Sequence, residues 1–260
     1  MRIKAIVNRE DTRQGSYIGF LENEFPQLLT EENPELLYVI GGDGAIHFAH
    51  KDNPNTNVPF FGKGFGTLNF IMNNFQNDKE VINQLLNDEI ELSIVQTNKV
   101  NVSITSRDGQ VVVERKGIND MVIGNGIMDY HNFIINSERG AFDNLDFKGM
   151  GFCLSTPLGS TAFNINNYGK VLPLDSGMWS VTSIVGDHRV NEVMMPQTVS
   201  ITIQNGRVKP NLYVDGTATT IPLEYGDTVT FKPSLETFRI AFLDGKEFHN
   251  KRMKMIQKKR

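Results

Sequence analysis

The sequence predicts an α/β domain followed by an all-β domain, on three observations. Strand-like and helix-like segments alternate over the first ~95 residues, which implies a parallel sheet flanked by helices. From about residue 90, short runs rich in Val, Ile and Thr recur at regular spacing, the pattern of a β-sandwich or a related all-β domain. Two glycine clusters, Gly41-Gly42-Asp43-Gly44 and Gly62-Lys63-Gly64-Phe65-Gly66, follow apolar runs. In an open α/β sheet, ligands bind outside such carboxyl ends of strands.

The elements follow in order. Ile3 to Val7 reads as a first strand, its apolar stretch being too short for a secretory signal before Asn8-Arg9-Glu10-Asp11. Tyr17 to Leu29 carries a weak helical period that ends between Thr30 and Pro34. Leu36 to Ile40 is a buried second strand and Val58 to Phe61 a short third one. Asp78 to Leu86 reads as a helix capped by Asn77 or Asp78, with Val81, Ile82, Leu85 and Leu86 on one side. Strand-like runs then cover Ile90 to Val95, Lys99 to Thr105, Val111 to Glu114, Met121 to Ile123, Asn132 to Ile135 and Gly151 to Leu154. Arg107-Asp108-Gly109-Gln110 supplies a hairpin turn. Later runs are Thr198 to Ile203, Asn211 to Val214, Thr228 to Phe231 and Thr237 to Phe242. The domain boundary falls near residues 90–98, with no repeat, hinge or low-complexity segment.

Composition narrows the class. A chain of 260 residues with 39% hydrophobic and 22% charged residues is that of a soluble globular protein able to bury a core. No apolar run approaches the ~20 residues needed to cross a bilayer. A net charge of −4 argues against nucleic acid as the main partner. The basic tail, Lys251 to Arg260, reads as a solvated terminus or a helix end. Cys153, alone and flanked by Phe152 and Leu154, reads as a buried structural thiol, which points to the cytoplasm. His47 and His50 could share a helix face, but no further ligand pairs with them, so no metal site is assigned.

Chemistry concentrates in four places. Glycines in Gly41-Gly42-Asp43-Gly44 allow positive φ and a close approach of backbone N–H groups to a ligand. The following Ala45-Ile46-His47-Phe48-Ala49 opens a helix whose N-terminus favours phosphate. The turn thus reads as phosphate-binding with Asp43 as candidate general base, or more simply as a tight turn with Asp43 as a cap. Ser155-Thr156-Pro157-Leu158-Gly159-Ser160-Thr161-Ala162-Phe163 offers hydroxyls and backbone groups to a polar ligand and an aromatic face to a base, or is an ordinary helix-capping turn. Asn119-Asp120 could hold ribose hydroxyls or make a turn, and Asp215-Gly216 reads first as a β-turn.

Together and in this order, these motifs resemble the NAD kinase family. Gly41-Gly42-Asp43-Gly44 matches its GGDG motif, and Gly62-x-x-x-Gly66-x-Leu68-x-Phe70 its second glycine loop. Asn119-Asp120 lies where the family has Asn-Glu, and Ser155-Thr156-Pro157-x-Gly159-Ser160-Thr161-Ala162 matches its longest signature, followed by Val214-Asp215-Gly216. The resemblance covers roughly residues 2–245 and rests on motif order. It implies a Rossmann-like α/β domain over residues 1–95, a β-sandwich over 96–240, and a final segment, 241–260, that returns to the first domain. It implies transfer of the γ-phosphoryl group of ATP to the 2′-hydroxyl of NAD's adenosine ribose, with a divalent metal, Mg²⁺, and self-association to a dimer or tetramer. By the same resemblance Asp43 is the base, and Gly41, Gly42 and Gly44 meet the ATP phosphates. NAD is met by Gly66, Phe70, Asn119, Asp120, Ser155, Thr156, Ser160, Thr161, Ala162, Phe163 and Asp215. Several positions depart from the pattern: Met150 stands for an aspartate, Leu158 for a hydroxyl residue, Ala45 for threonine and Gly64 for asparagine. They leave two alternatives, a catalytically silent NAD(P) sensor and a kinase for another nucleotide or lipid alcohol.

Overall fold

Hydrophobic pattern and strand pairing settle into two units in the computed structural model, which describes residues 1–8, 14–54, 56–65, 69–125, 129–216, 219–245, 249–250 and 253–254. The first unit is Met1–Gln96 with Phe238–Lys254, and the second is Thr97–Thr237.

In the first unit, β1 (Ile3–Ile6), β2 (Leu36–Gly41) and β3 (Phe60–Gly64) pair in parallel, and the last residues of β14 (Thr228–Phe242) join β3 through Ile240 and Phe60. Every residue of β2 is buried, as its unbroken apolar run requires of a strand covered on both faces. Helices α1 (Gly15–Glu24), α2 (Gln27–Thr30), α3 (Asp43–Asp52) and α4 (Asp78–Leu86) belong to this unit, and the described residues at 245, 249–250 and 253–254 are also helical. The core gathers Leu21, Phe25 and Leu28 against Leu36, Ile40, Ile82 and Leu85. Each such side chain contributes roughly 1.5–3 kcal/mol on burial. The single helix expected over Tyr17 to Leu29 is two, because Phe25 leaves helical geometry (φ −141°) and Pro26 cannot donate to the preceding turn. The start of α4 is capped by Asn77, whose side chain accepts from the Glu80 amide.

The second unit is antiparallel β. Its strands are β4 (Ser93–Thr105) from Thr97 onward, β5 (Val111–Gly117), β6 (Asp120–Gly124), β7 (His131–Ser137), β8 (Leu145–Ser155), β9 (Trp179–Gly186), β10 (Asn191–Met194), β11 (Val199–Asn205), β12 (Asn211–Val214), β13 (Thr219–Pro222) and the first part of β14. A short helix, α5 (Phe163–Asn166), follows a 3₁₀ turn at Gly159–Thr161. Phe133, Phe147, Phe152, Trp179, Ile201 and Phe231 lie within one core. Strand β8 changes partner along its length, pairing with β7 over Leu145 to Gly149 and with β6 over Gly151 to Ser155. Gly149-Met150-Gly151 is the corner, and a Cβ on Gly151 would lie 1.9 Å from the Ile123 carbonyl oxygen.

Two pairs of expected strands are continuous. Ile90 to Val95 and Lys99 to Thr105 belong largely to β4, and Thr228 to Phe231 and Thr237 to Phe242 to β14. Strands β9, β10 and β13 have no counterpart in the sequence reading. In β9 the apolar alternation is masked by buried Ser180, Thr182 and Ser183.

Candidate active site

In the first unit, β2 runs into the glycine turn and α3 starts at once. Gly41 takes φ +142°, and a Cβ there would lie 2.8 Å from the Ala45 Cβ. Gly42 is the N-cap of α3 and has no side chain to fill the cap. The first amides of a helix have no partner within it, and their dipole favours an anion. A cavity of about 530 Å³ opens here, lined by Gly42 and Gly44, the ends of β1 and β2, Phe48, Asp52 and Phe65. Asp43 is turned elsewhere: its Oδ2 accepts from the Phe70 amide at 2.8 Å and its Oδ1 from the Ile71 amide at 3.0 Å. Each oxygen retains a further lone pair, so the carboxylate is oriented while still able to accept a proton. Phe70 is itself 9% exposed. Gly66 and Leu68 lie outside the described residues.

Sequence reading missed several groups of this unit. Phe48 is 57% exposed and lies four residues beyond Gly44 on α3, a spacing that puts both on one helix face. Gln14 also lines the cavity and accepts from the Asn8 amide. Beneath, Lys63 is buried and pairs with Asp78 at 2.9 Å, with its ammonium 4.0 Å from the Phe75 ring centroid. Tyr17 donates to Asp78 and so accepts from Tyr38 at 2.6 Å. Burial raises both phenols well above their ordinary pKa, which keeps them protonated donors. A tyrosine inside an apolar strand and a lysine between two glycines were the only signals. His50 is buried edge-on against Phe238, and burial lowers the His47 pKa to about 4. Among the described residues, no three His, Cys, Asp or Glu side chains converge to hold a metal ion.

In the second unit, two carboxylates organise the signature loop. Asp120 is fully enclosed; its Oδ1 accepts from the Ser155 hydroxyl at 2.7 Å and its Oδ2 from the Phe163 amide at 2.7 Å. Gly159 has to be glycine, since a Cβ would lie 2.1 Å from Asp120 Oδ1. Asp215 accepts from the amides of Ile118 and Asn119, and its own amide donates to the Asp120 carbonyl. Burial pushes both carboxyls up to about 7 against the pull of these donors. The loop's hydroxyls face inward. Ser155, Thr156 and Ser160 are 0% exposed, with Thr156 donating to the Ile118 carbonyl and Ser160 to that of Pro157. Phe163, 41% exposed, leaves its ring open to solvent. The side-chain amide of Asn119 makes no hydrogen bond among the described residues. Asn164 anchors the far side, bonding Ser160, Lys170 and Ser180. The Cys153 thiol is buried, as expected, and burial raises its pKa.

No family model matches the chain. Among curated proteins it is 30% identical to the NAD kinase of Rickettsia africae over 154 residues, 59% of this chain and 57% of that protein. It is 28% identical to the NAD kinase of Rickettsia bellii over 203 residues, 76% and 75% of the two chains. The likeness thus spans somewhat over half the length of the first of these relatives and three quarters of the other. Among solved structures, yeast NADH kinase in complex with NADH superposes with a TM-score of 0.78 at 18% identity, over 99% of this chain and 88% of that one. The NAD kinase of Archaeoglobus fulgidus in complex with ATP gives 0.69 at 15% identity, over 99% of both chains. In sequence the chain is thus similar to NAD kinases, and it shares the fold of the two solved kinases.

Proposed function

We propose that this protein transfers the γ-phosphoryl group of ATP to the 2′-hydroxyl of the adenosine ribose of NAD, giving NADP. The observation that carries the reading is Asp43, a carboxylate on a glycine turn, oriented by two backbone amides and flanked by glycines that line a cavity at a helix N-terminus. Phosphoryl transfer needs positioning and charge stabilisation, with little covalent work from the protein. A secondary alcohol is a weak nucleophile, and a placed carboxylate contributes typically ~10²–10⁴-fold by taking its proton. Asp43 has that role. The amides around Gly42 and Gly44 meet the donor's phosphates, and Gly41 gives the turn its shape.

In the second unit, the open ring of Phe163, the backbone at Thr161 and Ala162 and the amide of Asn119 recognise the adenosine portion. Asp120, Asp215, Ser155, Thr156 and Ser160 act by holding those groups in place. Phe70 serves the adenine end while its amide holds Asp43. By the family resemblance the reaction would use a divalent cation, Mg²⁺, which would neutralise charge on the triphosphate. Names and titles of the relatives support both substrates. Self-association to a dimer or tetramer and a cytoplasmic site of action rest on the family resemblance. No described helix is long and apolar enough to cross a membrane.

The test is NADP formation from NAD, ATP and Mg²⁺, coupled to an NADP-specific dehydrogenase. Asp43→Asn is expected to lower kcat by at least ~10²-fold while NAD binding by calorimetry is retained. A folded wild-type protein that binds NAD and makes no NADP would overturn the reading in favour of a sensor.

A further inference from the structure

The two amides that orient Asp43 belong to a segment with no regular structure, so something else must fix their position. Asn73 does this with every polar atom it has. Its main chain bridges β3, with the Asn73 amide donating to the Gly62 carbonyl at 2.7 Å and the Gly64 amide donating to the Asn73 carbonyl at 3.0 Å. Its side-chain Nδ2 donates to Gly62 at 3.2 Å and to the Ala241 carbonyl at 3.1 Å, and its Oδ1 accepts from the Leu243 amide at 2.9 Å. The residue is 6% exposed, so these bonds are made away from water. One side chain therefore ties together β3, the end of β14 and the segment carrying Phe70 and Ile71. A second anchor lies two residues on, where Lys63 donates to the Phe75 carbonyl.

We propose that Asn73 is a positioning residue: it fixes the Phe70 and Ile71 amides and through them the orientation of the Asp43 carboxylate. The inference deepens the kinase reading and rests on it for its consequence on rate, but its physical content, the coupling of Asn73 to those amides, is measurable without turnover. The carboxylate's direction matters because general base catalysis requires hydrogen-bond reach to the attacking hydroxyl, and a displacement of about 1 Å costs on the order of 10²-fold. Of the possible substitutions, Asn73→Asp keeps the acceptor for Leu243 and replaces both donors with a carboxylate oxygen facing two carbonyls. Asn73→Ser removes both Nδ2 donors and the Oδ1 acceptor with no new charge, and serves if the aspartate variant does not fold.

The experiment combines amide hydrogen exchange with kinetics on the full chain. Exchange at Phe70 and Ile71 is expected to rise at least ~10-fold in Asp43→Asn and in the Asn73 variant, while core amides of β2 hold their protection. In turnover, kcat is expected to fall ~10–100-fold in the Asn73 variant with KM for NAD changed less than ~3-fold. Adding the Asn73 change to Asp43→Asn is expected to lower kcat by less than ~2-fold, because both act on one element. Unchanged exchange at Phe70 and Ile71 in a folded Asn73 variant would overturn the proposal, as would rate losses that multiply in the double variant. If the wild type makes no NADP, the kinase reading fails on its own, and the exchange measurement still decides whether Asn73 governs the amides at Asp43.

Discussion

Replacing Asp78 with alanine removes the carboxylate that pairs with the buried Lys63, and the cost follows from the network around it. The Lys63 side chain is 7% exposed and that of Asp78 24%. In Asp78→Ala the ammonium keeps the Phe75 carbonyl and the faces of the Phe75 and Phe65 rings, but no anion among the described residues. Breaking a buried ion pair by removing one member typically costs about 3–5 kcal/mol, and the partial exposure of Asp78 puts this case near about 3. Tyr17 also loses its acceptor, adding about 1 kcal/mol. The expected loss is therefore about 4 kcal/mol in the first unit. Lys63→Met is expected to cost about 1 kcal/mol, since Asp78 can then hydrate and still accept from Tyr17. The double variant should lie within about 1 kcal/mol of Lys63→Met, because no uncompensated charge remains. Urea unfolding followed by circular dichroism at a helix wavelength reports on the first unit, where α1, α3 and α4 lie. A loss below about 1 kcal/mol in Asp78→Ala, or additive effects in the double variant, would refute the reasoning.

Three further outcomes are expected. Gly151→Ala should destabilise the second unit by at least about 3 kcal/mol, because its Cβ would meet the Ile123 carbonyl at 1.9 Å; the Trp179 fluorescence transition in urea reads this directly. The His47 pKa is depressed by burial from 6.5 to about 4, so the native state disfavours the proton and stability falls as pH drops from about 6.5 towards 4. The loss is about 3 kcal/mol by linkage, and His47→Leu should abolish that part of the slope. The raised carboxyl of Asp215 has the opposite sign: its contribution is present below the unfolded value of 3.8 and fades as pH rises through about 7. Asp215→Asn should remove its share of the slope of the second unit over that window, leaving that of Asp120, whose carboxyl is raised likewise, and an unchanged slope in thermal melts would contradict the assignment.

Much of the fold was legible because it follows from periodicity. The unbroken apolar run of β2 and the one-sided pattern of α4 each correspond to an observed element, α4 to the residue. Failures have physical causes of equal clarity. Pro26 divides one expected helix. In β9 serine and threonine stand at buried positions because they bond inward, Ser180 to Asn164 and Thr182 to Asn167. At the candidate site, residue types pointed to chemistry but not to direction. Asp43 could be singled out from its glycine neighbours, whereas its two amide partners are 27 and 28 residues away and carry no side-chain signal. Asn73 and Lys63 were invisible for the same reason: their bonds run mostly to backbone carbonyls, which any sequence supplies.

The signature loop of the second unit shows why density of polar residues is a poor measure of ligand contact. Its hydroxyls outnumber its exposed groups, and three of them, on Ser155, Thr156 and Ser160, are wholly buried. A buried hydroxyl without a partner would cost about 1–3 kcal/mol, so each must be answered from within the protein. Asp120, the Ile118 carbonyl and the Pro157 carbonyl answer them. The loop is therefore closed by a set of short inward bonds, and what it leaves outward is the ring of Phe163 and a few backbone groups. Such a loop is rigid before any ligand arrives, which lowers the ordering cost of binding. Substitution of Asp120 should then act on affinity as a whole, by releasing Ser155 and the Phe163 amide together. On the proposed reading, substitution of Phe163 should act only on a base that would stack on its exposed ring.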